Sequence, residues 1–191
     1  MPEMKSFMRP RLLLLPLAAA IIYGLCEYKL SQTYERANTA VRSGLQPVRA
    51  PAFEGQAIDN TILRIERYVG RQSFFVVFFD ANVGADNDAN LKHLREHSDQ
   101  LSKRGLIVIA VSSALPQTHR RLTFPKLFQF VTDLEPLWTA HRRWGCFDEE
   151  ADAPKSAIFY VDRAGDTASR DGLPVPLENP LASIDRILKQ P

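Results

Sequence analysis

Residues 73–79 read SFFVVFF, an uncharged run of aromatic and β-branched side chains. Such a run suits a strand covered on both faces, as in a parallel sheet enclosed by helices. Downstream, residues 88–104 place Leu91, Leu94 and Leu101 on one helical face, with Gly105 as the stop. Residues 106–111 (LIVIAV) form a second buried strand, residues 116–122 a short helix, and residues 127–131 a third, weaker strand ending at Asp133. A helix over 134–144 aligns Leu134, Leu137, Trp138 and His141. The fourth strand is 157–161 (AIFYV), closed by Asp162-Arg163-Ala164-Gly165, and a last helix over 180–190 turns Leu181, Ile184, Ile187 and Leu188 inward. Alternating buried strands and amphipathic helices predict an α/β domain with a mainly parallel central sheet flanked by helices.

The composition agrees. A chain of 191 residues, 45% hydrophobic and 24% charged, holds one domain with a real core and a short appendage. A net charge of +2 is too small an excess for a nucleic-acid partner. Two cysteines, Cys26 and Cys146, exclude a disulfide framework and any zinc site built from several thiolates.

Residues 12–26 (LLLLPLAAAIIYGLC) carry no charge and follow Lys5, Arg9 and Arg11. Fifteen helical residues rise about 22 Å, against a hydrocarbon core of about 30 Å. Met8, Pro10, Tyr28 and Leu30 extend the span, and Arg9 and Lys29 can snorkel to the interfaces. The expected organisation is a transmembrane helix within residues 1–30, a polar tether at 31–50 and a domain at 51–191. The alternatives are a buried core helix and a cleaved signal peptide. Ala18-Ala19-Ala20 supplies a cleavage pattern, but the apolar run continues beyond it through Ile21, Ile22 and Leu25. The basic cluster on the short N-terminal tail favours a cytoplasmic N-terminus and an extracytoplasmic (periplasmic or equivalent) domain, against Lys29, Arg36 and Arg42 on the other flank.

Several short motifs fall in a recognisable order. Ala50-Pro51-Ala52-Phe53 fits A-P-x-F, and Gly70-Arg71 fits the G-K that precedes a first core strand. Val111-Ser112-Ser113 fits V-S-x-D, and Phe130-Val131-Thr132-Asp133 fits F-x-x-L-x-D. Trp144-Gly145-Cys146 fits Y-G-V, and Phe159-Tyr160-Val161-Asp162 with Gly165 fits F-x-I-D-x-x-G. Over residues 46–188 the chain thereby resembles the alkyl hydroperoxide reductase and thiol-specific antioxidant (redoxin) family of thioredoxin-like proteins. The resemblance implies a thioredoxin-like sheet, with a redox centre between the first core strand and the long helix.

At that centre the chain departs from the family. Where thioredoxin-like members carry W-C-x-x-C, this chain reads Val83-Gly84-Ala85-Asp86-Asn87, so Gly84 and Asn87 stand at the two thiol positions. The peroxidase pattern P-x-x-x-T-x-x-C also finds no cysteine between Phe79 and Leu101. The family's proline or arginine six residues before the strand-end aspartate is Ser156 here, after Pro154 and Lys155. Without a thiolate at the helix start, nothing there attacks a peroxide or a disulfide.

Cys146 is a candidate thiol, with Arg142 and Arg143 nearby to favour a thiolate and Asp148, Glu149 and Glu150 to oppose it. A packed, inert cysteine is the leading reading. His93-Leu94-Arg95-Glu96-His97 matches H-x-x-E-H, two imidazoles on one helix face with a glutamate between them. No third ligand is evident, so a solvated face leads and metal binding through His93 and His97 is the minor alternative. Asp80, Asp86 and Asp88 suit helix capping better than a cation site. The clusters His119-Arg120-Arg121 and His141-Arg142-Arg143 read as solvated faces, with anionic lipid or an acidic partner as the alternative.

The functional expectation is a membrane-anchored thioredoxin-like domain without catalysis or cofactor, a binding or structural subunit of a membrane complex. The alternative from another class is a thiol oxidoreductase or peroxidase working through Cys146.

Overall fold

The computed structural model describes residues 45–115, 118, 123–133 and 138–189. The expected anchor, Cys26, the tether as far as residue 44, all but Thr118 of the helix expected at 116–122, and residues 134–137 lie outside them. Among the described residues no helix is long and apolar enough to cross a membrane.

In chain order the strands β1 (Gln46–Arg49), β2 (Glu54–Ala57) and β3 (Ile62–Arg64) precede a 3-10 turn, Ile65–Arg67, and β4 (Phe74–Phe79). Then come α1 (Ala89–Glu96), α2 (Ser98–Lys103), β5 (Ile107–Ser112), β6 (Phe128–Thr132) and α3 (Thr139–Arg143). A small hairpin, β7 (Phe147–Asp148) and β8 (Ala153–Pro154), leads to β9 (Ala157–Val161), β10 (Asp166–Arg170), β11 (Leu173–Pro174) and α4 (Pro180–Lys189).

Six strands form the main sheet in the order β3-β2-β6-β5-β4-β9. The aromatic run occupies β4, paired parallel with β5 (Phe74 opposite Ile107) and antiparallel with β9 (Phe74 opposite Val161). All six β4 side chains are buried, because the period of two sends them alternately into two layers. Phe74, Val76 and Phe78 join Ile109, Val131, Trp144 and Phe159 on one face. Phe75, Val77 and Phe79 join Leu91, Leu94, Leu101, Phe130 and Ile184 beneath the α1, α2 and α4 helices on the other. A smaller sheet, β1-β10-β11, flanks the main one. It is reached through the Asp162 turn, where the Asp162 carboxylate accepts from the Gly165 and Asp166 amides at 3.0 Å each.

Several expectations change. The main sheet is mixed rather than mainly parallel: only β4, β5 and β6 run parallel, and β9, β2 and β3 join antiparallel. Residues 46–49, the end of the stretch read as tether, form β1 against Asp166–Ser169, so the folded unit starts near Leu45. The long helix of 88–104 is two helices. His97 leaves helical geometry (φ −99°, ψ 17°), and its ring Nδ1 lies 2.9 Å from the His93 carbonyl, closing α1 while α2 restarts behind it. The helix expected from 134 is described only from Thr139, behind a Trp138 in left-handed backbone geometry (φ 39°). In α4, Ile184 and Leu188 are buried, but Leu181 is exposed.

Candidate functional site

In open α/β sheets, ligands gather at the carboxyl ends of the parallel strands. Here β4, β5 and β6 end at that edge, delivering Asp80, Ser113 and Asp133. Asp80, Asn82, Ser113, Leu115, Trp138 and the Ala153-Pro154 pair line a cleft of about 570 Å³. Two apolar side chains at this edge are exposed, Val83 at 48% and Leu115 at 58%. A larger open depression of about 1110 Å³ runs along the β2–β3 edge, where Arg64 and Glu54 pair at 2.9 Å. It contains none of Gly84, Asn87, Ser156 and Cys146.

The loop between β4 and α1 is built for turning and capping. Asp80 accepts from the Asn82 amide at 2.8 Å, and its carbonyl accepts from Gly84 at 3.0 Å. Gly84 sits at φ +77°, a region open to glycine at no steric cost. The Asn87 amide turns back to the Val83 carbonyl at 3.2 Å. Asp88, nearly buried, caps α1 by accepting from the Leu91 amide at 2.9 Å. Asp86 instead pairs with Arg95 at 2.9 Å, and Arg95 stacks on Phe124. Between the two capping candidates, Asp88 takes the role. Gly84 and Asn87 thus precede the first turn of α1, and a carboxylate already occupies the helix N-terminus whose dipole would stabilise a thiolate. Ser156 is exposed, directly before β9.

Cys146 is 2% exposed, packed on the layer that holds Trp144 and Phe159, with its Sγ 3.6 Å from the Trp144 carbonyl. Burial pushes its thiol up to about 12. In a Cys26→Ser background, Cys146 is expected to resist alkylation in the native protein and to react promptly in denaturant. Native labelling at the rate of a free thiol would contradict this.

Between Trp138 of the cleft and the larger depression, which Asp133 lines, lies a pair that the sequence reading did not assemble. His141, 1% exposed, places Nδ1 2.7 Å from Asp133 Oδ2, and its backbone amide donates to the same oxygen at 2.9 Å. Burial alone would raise the Asp133 pKa, but the hydrogen bonds from the His141 ring and backbone outweigh it and hold the carboxyl below its usual value. Phe78 and Trp138 enclose the ring at centroid distances of 4.9 and 5.7 Å. The pair is a buried support for α3 and the cleft wall. His141 therefore leaves the cluster read as a solvated face, whereas Arg142 and Arg143 remain at the surface, over the Phe147 ring and on the Ala52 carbonyl.

His93 and His97 also depart from the solvated reading. Both rings lie against α4, facing Asp185, while Glu96 is exposed and takes no part in the cluster.

No family model matches the chain. Alkyl hydroperoxide reductase E of Mycobacterium tuberculosis is 25% identical over 118 residues, covering 61% of this chain and 77% of that protein. The redoxin resemblance is borne out. Solved structures agree on the fold: the mitochondrial 2-Cys peroxiredoxin of Plasmodium falciparum (TM-score 0.52, 15% identity, 74% of this chain and 92% of that one). Enterococcus faecalis AhpC gives 0.54 at 19% identity, covering 74% and 88%. BsSco, a member of the Sco family of cytochrome c oxidase assembly proteins, gives 0.53 at 14% identity, covering 76% and 94%. On this redoxin-like frame the cleft offers hydroxyl, amide and carboxylate groups beside apolar surface, and no thiol among its described lining. Such a lining can bind polar and apolar groups side by side.

Proposed function

We propose that this protein is a membrane-anchored, non-catalytic redoxin-like module that serves as a binding or structural subunit of a membrane protein complex. The observation that carries the reading is the state of its thiols: Gly84 and Asn87 occupy the redox loop, and Cys146 is sealed in the core. A fold that keeps its frame without its nucleophile retains its surfaces, and function resides in sites grafted on folds. The cleft with its exposed Leu115, together with the exposed Val83 of the β4–α1 loop, is the surface offered to a partner. The apolar stretch at 12–26 supplies the anchor, its small residues Ala18, Ala19, Ala20 and Gly24 suited to close helix association. Tethering to a shared membrane raises the local concentration of the domain, so a weak docking face suffices. The same fold occurs in BsSco, a member of the Sco family of cytochrome c oxidase assembly proteins.

A second reading, a thiol-dependent oxidoreductase or peroxidase working through Cys146, draws on the similarity to alkyl hydroperoxide reductase E. It requires the Cys146 thiolate to reach solvent. Two measurements on the full-length protein decide between them. Gentle detergent extraction and a native gel are expected to give a species larger than the monomer, reduced by Gly24→Leu, with peroxide and disulfide turnover at the enzyme-free rate. A monomer unchanged by crosslinking defeats the complex. Turnover abolished by Cys146→Ser promotes the second reading.

A further inference from the structure

The histidine pair at the end of α1 meets a carboxylate from the last helix of the chain. His93 Nε2 lies 2.8 Å from Asp185 Oδ1, and His97 Nε2 lies 3.9 Å from the same oxygen. One ligand atom from each of the three residues falls within 4.8 Å of the others. The side chains of His93, His97 and Asp185 are 18%, 27% and 41% exposed. The packing of α4 on α1 holds the cluster in place while one side stays open to solvent.

The orientation of His97 is preset. Its Nδ1 lies 2.9 Å from the His93 carbonyl, and a carbonyl only accepts, so Nδ1 carries a proton. In the neutral ring the lone pair is then on Nε2, aimed towards a carboxylate oxygen that also only accepts. At 3.9 Å this pair makes no hydrogen bond, so the Nε2 lone pair of a neutral His97 is left open to a ligand that Asp185 and His93 can share. A backbone carbonyl fixing the distal ring nitrogen is also how ligating histidines are commonly oriented.

We propose that His93, His97 and Asp185 form a binding site for a divalent transition-metal ion, zinc in the first instance. Two imidazoles and a carboxylate suit a borderline ion. Magnesium and calcium prefer all-oxygen shells, and copper(I) prefers sulfur. Ligands at about 2.0–2.2 Å from a tetrahedral zinc stand about 3.3 Å apart. The 2.8 Å pair therefore opens slightly and the wider pairs close. The proton between His93 and Asp185 leaves Nε2 on binding: a doubly protonated ring releases it to solvent, and a neutral ring takes one up on Nδ1 in its place, so that the ligand stays a neutral imidazole. Water takes the fourth position. The ion ties the α1–α2 break to α4, joining segments that are 92 residues apart in sequence.

The test uses full-length protein in detergent, stripped with chelator, titrated with zinc chloride against a chromophoric competitor. One zinc per chain is expected, with a rise in the thermal midpoint. His97→Ala and Asp185→Asn should each weaken binding about ten-fold or more and remove the midpoint rise. His119→Ala should change neither. Cobalt(II) loaded in place of zinc should give visible bands of tetrahedral ligation, lost in His97→Ala. Asp185→Asn replaces an exposed side chain, so it tests the site even where a histidine variant folds poorly. No zinc uptake, or uptake unchanged in both His97→Ala and Asp185→Asn, overturns the proposal.

Discussion

Trp144→Ala is expected to lower the stability of the folded domain by about 4 kcal/mol, within the range for deleting a buried large aromatic. Trp144 is 1% exposed and packs edge-on to Phe159 at 5.0 Å and Phe53 at 6.3 Å, with Phe78 at 5.9 Å. It joins β4 and β9, the last two strands at one side of the main sheet, to the segment that enters it. Removing the indole leaves a void lined by three rings, and aromatic pairing adds about 0.5–1.5 kcal/mol per pair beyond area. The indole Nε1 also donates to the Pro51 carbonyl at 3.1 Å, so truncation leaves that acceptor without its partner. Trp144→Phe keeps a ring and loses the hydrogen bond, and is expected to cost about 1–2 kcal/mol. Denaturant unfolding of the full-length protein followed by far-ultraviolet circular dichroism measures both. A loss below about 1 kcal/mol for the alanine variant would remove Trp144 from the centre of this core.

The same residue shows what was legible in the sequence. Buried strands announce themselves when both faces are covered, so β4, β5 and β9 fall within a residue of their apolar runs. The strand β2 is EGQA, with no apolar run to read. It can lie on β6 because Gly55 has no side chain: a Cβ there would stand 2.3 Å from Val131 Cγ1 and 2.7 Å from the Thr132 carbonyl. That is a tertiary reason, invisible to periodicity, and missing β2 and β3 made the sheet look more parallel than it is.

The site divides along the same line. The empty thiol positions were legible because a motif is local. The partners of the histidines were not: Asp185 lies 92 residues from His93, and Asp133 pairs with His141, eight residues further along the chain. The helical phase that grouped His141 with Trp138 pointed inward, whereas its charged neighbours Arg142 and Arg143 suggested a wet face. Phase was the better guide, because a ring that can donate to a buried carboxylate no longer needs water.

That pairing gives the last expected result. Asp133→Ala should destabilise the domain by about 3 kcal/mol, the scale for removing one partner of a buried, charge-assisted pair. Asp133 is 6% exposed and accepts both the ring and the amide of His141, so its loss strips a cap from α3 and leaves a buried imidazole donor unsatisfied. The pH dependence carries the signature. The folded pKa of Asp133 is depressed below 3.8 because the His141 hydrogen bonds outweigh its burial. A carboxyl depressed in the fold contributes stability that is complete above its unfolded pKa and lost as pH falls through the folded one. The gap between wild type and Asp133→Ala should therefore be widest near neutrality and narrow in acid, as the pH falls through the depressed folded-state value of Asp133. Asp133→Asn keeps an acceptor of the same shape without the charge, so it should lose less than the alanine variant and flatten the acid limb in the same way. A gap that stays constant across that range would show Asp133 acting through shape alone, with no ionic share in holding α3 against the sheet.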